Sequence, residues 1–186
     1  AYLFLPKNVT PPYQTVVFFA GANILVLRSS ETLAGMSRFD FIIKSGRAVL
    51  YPIYKETYER RPSFPDAGAT GSAGNSLVHR RDRIIQWSKD LGRALDYLET
   101  RKDIDRNKLA YMGFSMGSAH GPILVTIDGR PRACVFLDGG FYLRPTLPEI
   151  DQLNFAPRLK VPTLMVNGRY DFIFPPETSQ RALFRL

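Results

Sequence analysis

Gly113-Phe114-Ser115-Met116-Gly117 is where this chain has the residue types for covalent chemistry. The stretch follows Lys108-Leu109-Ala110-Tyr111-Met112, short and mostly apolar as a strand is, and precedes Ser118-Ala119-His120-Gly121-Pro122-Ile123-Leu124-Val125, which can begin a helix. A serine at a sharp strand-to-helix turn lifts its hydroxyl above a sheet, and a Cβ at either flanking glycine would crowd the turn. The helix N-terminus just beyond offers N–H groups to a developing negative charge. This context, more than the five-residue pattern, marks Ser115 as a candidate nucleophile.

A serine hydroxyl is a weak nucleophile at neutral pH. It needs a base to take its proton, an acid to orient that base, and donors for the oxyanion. One donor is expected to be the Met116 N–H; the other comes from Ala20-Gly21-Ala22-Asn23, with Ala22 the first choice and Asn23 the next. Asp171 is the expected orienting acid, because it follows a late strand and comes after the serine in chain order; Asp138, one strand earlier, is its competitor. The base is the difficulty. Both histidines, His79 and His120, precede Asp171, and each reads as structural or solvated. The expectation is a base supplied beyond Leu186, in a domain that lacks its last strand and helix. An open sheet edge and poor solubility of the isolated chain are expected with it.

To bring these residues together the chain must end several strands at one rim. Residues 2–5, 15–19, 48–54, 107–114, 132–137 and 161–166 read as strands. Residues 30–44 read as a helix capped by Ser30 and ended by Gly46. Residues 79–100 read as another, with Ile84, Trp87, Leu91, Ala94, Leu95 and Leu98 at helical spacing, and a last helix opens at Pro175-Pro176-Glu177. Residues 55–78 and 141–157 are irregular and cap-like. This alternation predicts an α/β fold, a mostly parallel sheet with helices on both faces and ligands beyond the carboxyl ends of the strands. Gly21, Ser115, Asp138 and Asp171 all fall just past such ends.

Composition narrows the function classes. A chain of 186 residues that is 45% hydrophobic makes one domain, or part of one, with a sizeable core. The lone cysteine, Cys134, excludes an internal disulfide, reads as a buried small hydrophobe, and leans toward a cytoplasmic location. The net charge of +8 invites a nucleic-acid reading, but the densest basic clusters, Glu59-Arg60-Arg61 and His79-Arg80-Arg81-Asp82-Arg83, carry acids and no aromatic platform interleaves them. A basic solvated surface that weakly favours anions explains the charge, and no nucleic-acid partner is expected. No apolar run is long enough to span a bilayer, and neither a metal nor an organic cofactor is implied.

The elbow residues, together with Val16-Val17-Phe18-Phe19-Ala20-Gly21, residues 46–54 and Asn167-Gly168-Arg169-Tyr170-Asp171-Phe172-Ile173-Phe174-Pro175, resemble the α/β-hydrolase superfamily. The nearer likeness is to its dienelactone-hydrolase and acetyl-xylan-esterase-like branch, including hydrolase domains fused behind bacterial serine/threonine kinase domains. The resemblance covers nearly the whole chain. It implies a Ser–His–Asp triad with Ser115 and Asp171 at the matching positions, a small ester as substrate, and association with a kinase domain. The expected activity is that of a serine esterase. The alternative is a ligand-binding or regulatory module that keeps the pocket and has lost the catalytic relay.

Overall fold

The structure, a computed structural model, describes residues 1–61 and 76–185. Its strands are β1 (Tyr2–Phe4), β2 (Tyr13–Phe19), β3 (Ala48–Tyr51), β4 (Ile104–Phe114), β5 (Ala133–Leu137) and β6 (Thr163–Val166). They form a single sheet in the order β1-β3-β2-β4-β5-β6. β1 runs antiparallel to β3, and every other neighbouring pair is parallel. The helices are α1 (Asp40–Lys44), α2 (Leu77–Thr100), α3 (Met116–Asp128) and α4 (Arg181–Phe184), the last preceded by a π turn over Pro176–Gln180.

β2 shows why the sheet is covered on both sides. From Thr15 to Phe19 every side chain is buried, as a central parallel strand requires. Phe18 meets Phe39 and Tyr51 on one face. Phe19 stacks on Tyr54 at 3.9 Å and meets Trp87 of α2 edge-on at 5.2 Å on the other. Successive residues of a strand point to opposite faces, so these two phenylalanines anchor two separate layers.

The order also sets the rim. From β2 the chain moves outward to β3 on one side, whereas from β4 it moves outward to β5 on the other. The carboxyl ends of β2 and β4 therefore flank the switch point of the sheet, the place where open α/β sheets bind ligands. Gly21 follows one of these ends and Ser115 follows the other.

Helix α2 forms over the expected stretch but begins at Leu77, two residues before His79. Ser76 caps it by accepting the His79 N–H at 3.1 Å, and the Ile84–Trp87–Leu91–Leu95–Leu98 stripe is buried. The helix expected over 30–44 is the main correction. Only a 3-10 turn at Met36–Arg38 and the five residues of α1 form. Gly35 takes φ +83°, a left-handed conformation that breaks any helix begun earlier. Ser30 caps nothing; its hydroxyl donates to Glu59 Oε1 at 2.6 Å and its N–H donates to Glu59 Oε2 at 3.0 Å, tying this stretch to the turn at Tyr58–Arg60. Gly46, at φ +89°, does end α1 as its sequence position suggested. Of the cap-like segment at 55–78, residues 62–75 lie outside the described residues, and Leu77 and Val78 already belong to α2. The 141–157 segment is irregular as far as Leu147 and then runs into three short 3-10 turns, Pro148–Ile150, Gln152–Asn154 and Ala156–Arg158.

Phe19 ties the Tyr54–Trp87 layer to the backbone of α3, and its truncation tests that link. Phe19→Ala is expected to lower unfolding free energy by about 4 kcal/mol, read by urea denaturation followed by circular dichroism. A loss below about 1 kcal/mol would mean that the Tyr54–Phe19–Trp87 stack does not carry the core.

Candidate active site

Ser115 occupies a constrained turn. It sits between β4 and α3 at φ +50°, ψ −106°, a conformation a non-glycine residue adopts only when its surroundings impose it. A Cβ on Gly113 would lie 2.4 Å from the Gly117 carbonyl carbon, and one on Gly117 would lie 2.1 Å from the Phe19 carbonyl oxygen. Both glycines are therefore obligatory, for clearance on the two sides of the bend. The Ser115 N–H donates to the Leu137 carbonyl at 2.8 Å. Ser118 donates from its hydroxyl to the Gly113 and Leu137 carbonyls, each at 2.7 Å, and Tyr111 donates from its hydroxyl to the Gly117 carbonyl at 2.7 Å. The bend is pinned from the strand below, the helix beyond and the neighbouring strand.

The loop after β2 comes directly against this serine. A Cβ built on Gly21 would stand 3.4 Å from Ser115 Cβ and 3.0 Å from the Phe114 ring. Gly21 then leads into a 3-10 turn over Ala22–Leu25. Gly21, Ala22, Asn23 and Ser115 line one cleft of about 350 Å³. Met116 is the first residue of α3, so its N–H has no partner within the helix. The expected nucleophile and oxyanion loop are thus brought together, and Ala22 and Asn23 both remain at the cleft.

Arg38 enters the same cleft, and nothing in its sequence position marked it. Its guanidinium lies over the Phe114 ring at 3.8 Å from the centroid. The helix expected over 30–44 would have carried it elsewhere; the break at Gly35 is what turns it back over the elbow.

The two aspartates lie past the ends of neighbouring parallel strands, on the same rim as Ser115. Asp171 holds the turn after β6. Its Oδ1 accepts the N–H groups of Ile173 at 2.8 Å and Phe174 at 2.9 Å, and among the described residues its Oδ2 makes no hydrogen bond. Asp138, at φ +47°, uses its Oδ1 to accept the Gly168 N–H at 3.1 Å. Neither aspartate lines the Ser115 cleft.

Among the described residues neither histidine hydrogen-bonds Ser115. His79 Nε2 pairs with Glu56 Oε2 at 3.1 Å. His120 is 7% exposed and packs between Trp87 and Tyr142. Burial, reinforced by Arg83 and Arg144, pushes its pKa from 6.5 down to about 3. Cys134 is buried, and desolvation pushes its thiol up to about 12, so it is no nucleophile. Among the described residues no group of three or more potential ligands is placed to hold a metal, and no helix is long and apolar enough to cross a membrane.

No protein-family model and no curated protein sequence matches the chain. Solved structures do. A candidate dienelactone hydrolase from Klebsiella pneumoniae aligns over 97% of this chain and 70% of its own, with TM-score 0.69 and 17% identity. Esterase 2 of Thermogutta terrifontis, phosphoramylated by tabun, aligns over 98% and 70%, with TM-score 0.67 and 16% identity. An acylaminoacyl peptidase of Pyrococcus horikoshii aligns over 98% of this chain and 31% of its own, with TM-score 0.70 and 13% identity.

The His120 environment has a measurable consequence. An unfolded chain binds a proton at this residue near pH 6.5 and the folded one only near 3. Stability contributed by the neutral imidazole is therefore lost as pH falls through that window, at about 1.4 kcal/mol per pH unit. His120→Asn is expected to flatten the stability–pH slope between about pH 6 and 4, read from denaturant midpoints. An unchanged slope would place the acid sensitivity elsewhere. The parallel strand order with its switch point, the strand-to-helix bend at Ser115 and these structural likenesses together make the fold that of the α/β-hydrolases.

Proposed function

We propose that this chain is the nucleophile-bearing part of a serine hydrolase that cleaves small carboxylic esters. The observation that carries the reading is the cleft in which the strained Ser115 bend meets the Gly21–Asn23 loop. In it Ser115 Oγ attacks the acyl carbon, and the tetrahedral oxygen is held by the N–H groups of Ala22 and Met116. Such donors are already oriented before reaction, which is where most of the rate gain of an oxyanion hole arises. Collapse of the intermediate expels the alcohol and leaves an acyl group on Ser115, which water then removes.

Asp171 is proposed to orient the base through the carboxylate oxygen that its own turn does not use. The base is proposed to be a histidine supplied from outside this chain, since neither His79 nor His120 reaches Ser115. Ester rather than peptide cleavage rests on analogy with neighbours such as the esterase from Thermogutta. The resemblance to hydrolase domains fused to kinases belongs to the same proposal.

The absence of a histidine hydrogen bond to Ser115 favours a second reading, a regulatory module that binds a small ligand without turning it over. A fluorophosphonate probe separates the two. Stoichiometric labelling that disappears in Ser115→Ala supports the hydrolase, and no labelling of wild-type protein supplied with the missing base overturns it. The 186-residue chain alone is expected to hydrolyse p-nitrophenyl acetate near background, about 10⁴-fold below a complete triad. Robust turnover would show that a base is already present.

A further inference from the structure

A second pocket, of about 280 Å³, lies between α2, α3 and the chain that follows β5. It shares no lining residue with the Ser115 cleft. Its polar wall is made by Arg80 and Arg83 of α2 and by Arg144, with His120 of α3 beside them. Its apolar wall includes Ile84, Phe141 and Ile150. The size lies just below the roughly 300–1,000 Å³ common for small-molecule sites, as suits a small ligand.

The cations in this pocket are poorly compensated. Arg83 is only 18% exposed, yet its nearest carboxylate, Glu56, is 3.7 Å away and is shared with His79. Among the described residues, the Nε atoms of Arg80 and Arg83 and the Nδ1 of His120 are buried and have no hydrogen-bond partner. Arg144 lies over the Tyr142 ring at 4.4 Å rather than against an acid. Burial, and then the mutual proximity of these groups, lowers the pKa of both Arg83 and Arg144 from the ordinary arginine value. Arg144 is exposed, but the Arg83 charge is largely buried without a full partner, which is costly, and proteins keep such an arrangement where something else completes it.

We infer that this pocket is a binding site for a small monocarboxylate with an apolar body, separate from the Ser115 cleft. The charge selects the class. Among the described residues the three arginines have two carboxylates near them, Glu56 at 3.7 Å from Arg83 and Asp151 in the pocket wall, which leaves one positive charge unmatched there. A monoanion neutralises that excess, whereas a phosphate dianion overshoots it. The planar forks of arginine suit the two oxygens of a carboxylate. The Ile84–Phe141–Ile150 wall takes the hydrocarbon part. His120, neutral at physiological pH, adds a hydrogen-bonding group without adding charge.

The site carries its own reporter. Trp87, the single tryptophan, meets His120 edge-on at 5.2 Å and has the Arg83 guanidinium 5.2 Å from its ring. Hexanoate is the probe, with tryptophan fluorescence and calorimetry as readouts. Saturable binding is expected with Kd at or below about 1 mM, at least tenfold tighter than acetate or hexanamide. Arg144→Gln, at an exposed position, is expected to weaken hexanoate about tenfold without altering the fold, and Arg80→Gln to do the same. Ser115→Ala is expected to leave the affinity unchanged, so this result stands or falls independently of the esterase reading. No saturation by about 10 mM, equal binding of hexanamide, or undiminished affinity in both arginine variants would overturn the inference. A tenfold loss in Ser115→Ala would assign the ligand to the catalytic cleft instead and would equally overturn it.

Discussion

The architecture rests on the close approach of α3 to β2. Gly117 places its Cα where a side chain would sit 2.1 Å from the Phe19 carbonyl oxygen, so helix and strand backbones meet with nothing between them. This contact forces the chain to leave β4 and enter α3 within one residue, Ser115. The positive φ of Ser115 costs on the order of 1–3 kcal/mol, and the hydrogen bonds from Ser118, Tyr111 and the Ser115 N–H offset it locally. Relaxing the bend would mean separating α3 from β2, which would expose Phe19 and unstack it from Tyr54 and Trp87. The strain is thus retained by the hydrophobic core, and exposure of the hydroxyl follows from packing.

The rest of the rim is held by buried side-chain amides and hydroxyls. Gln152 donates to the Ala119 and Gly140 carbonyls and accepts the Tyr142 N–H, so the 141–157 segment is fastened to α3. Ser179 donates to the Phe141 carbonyl at 2.8 Å, and Asn167 donates to the Gly139 carbonyl at 2.7 Å. Each of these groups would be costly to bury alone, and each satisfies a loop carbonyl that has no strand partner. The region past β5 therefore behaves as part of the scaffold, which is what allows it to form one wall of the arginine pocket. β6 is different. It is the last strand of the described sheet, and Leu164 and Val166 on one of its faces are 58% and 50% exposed.

Much of this was legible in the residues because the strongest signals are steric and periodic. The apolar run of β2, the α2 stripe and the glycines around Ser115 each have only one cheap conformational solution, and the structure adopts it. The 30–44 stretch was misread because Ser30 and the apolar spacing of Leu33, Met36 and Ile43 satisfy helix rules locally. The outcome was decided by long-range pairing, the capture of Ser30 by Glu59 and the turn at Gly35. Arg38 was missed for the same reason, since its position over Phe114 exists only once that helix fails to form. The arginine pocket was invisible because its members come from three separated segments, and the sequence presents them as a mixed-charge surface cluster.

The fate of His120 shows how position and environment act together. It lies five residues after Ser115 on α3, which at 3.6 residues per turn rotates it about 140° around the helix axis. That angle carries the imidazole away from the Ser115 cleft and into contact with Trp87 of α2. Once there, burial and the two nearby guanidiniums oppose protonation. A general base must both reach the hydroxyl proton and gain stability on accepting it. His120 fails on each count for independent reasons, so a shift of α3 sufficient to bring it closer would still leave an imidazole that resists the proton. The histidine nearest in sequence to Ser115 thus lines the arginine pocket and not the Ser115 cleft. Proximity along the chain is a poor guide to chemical partnership here.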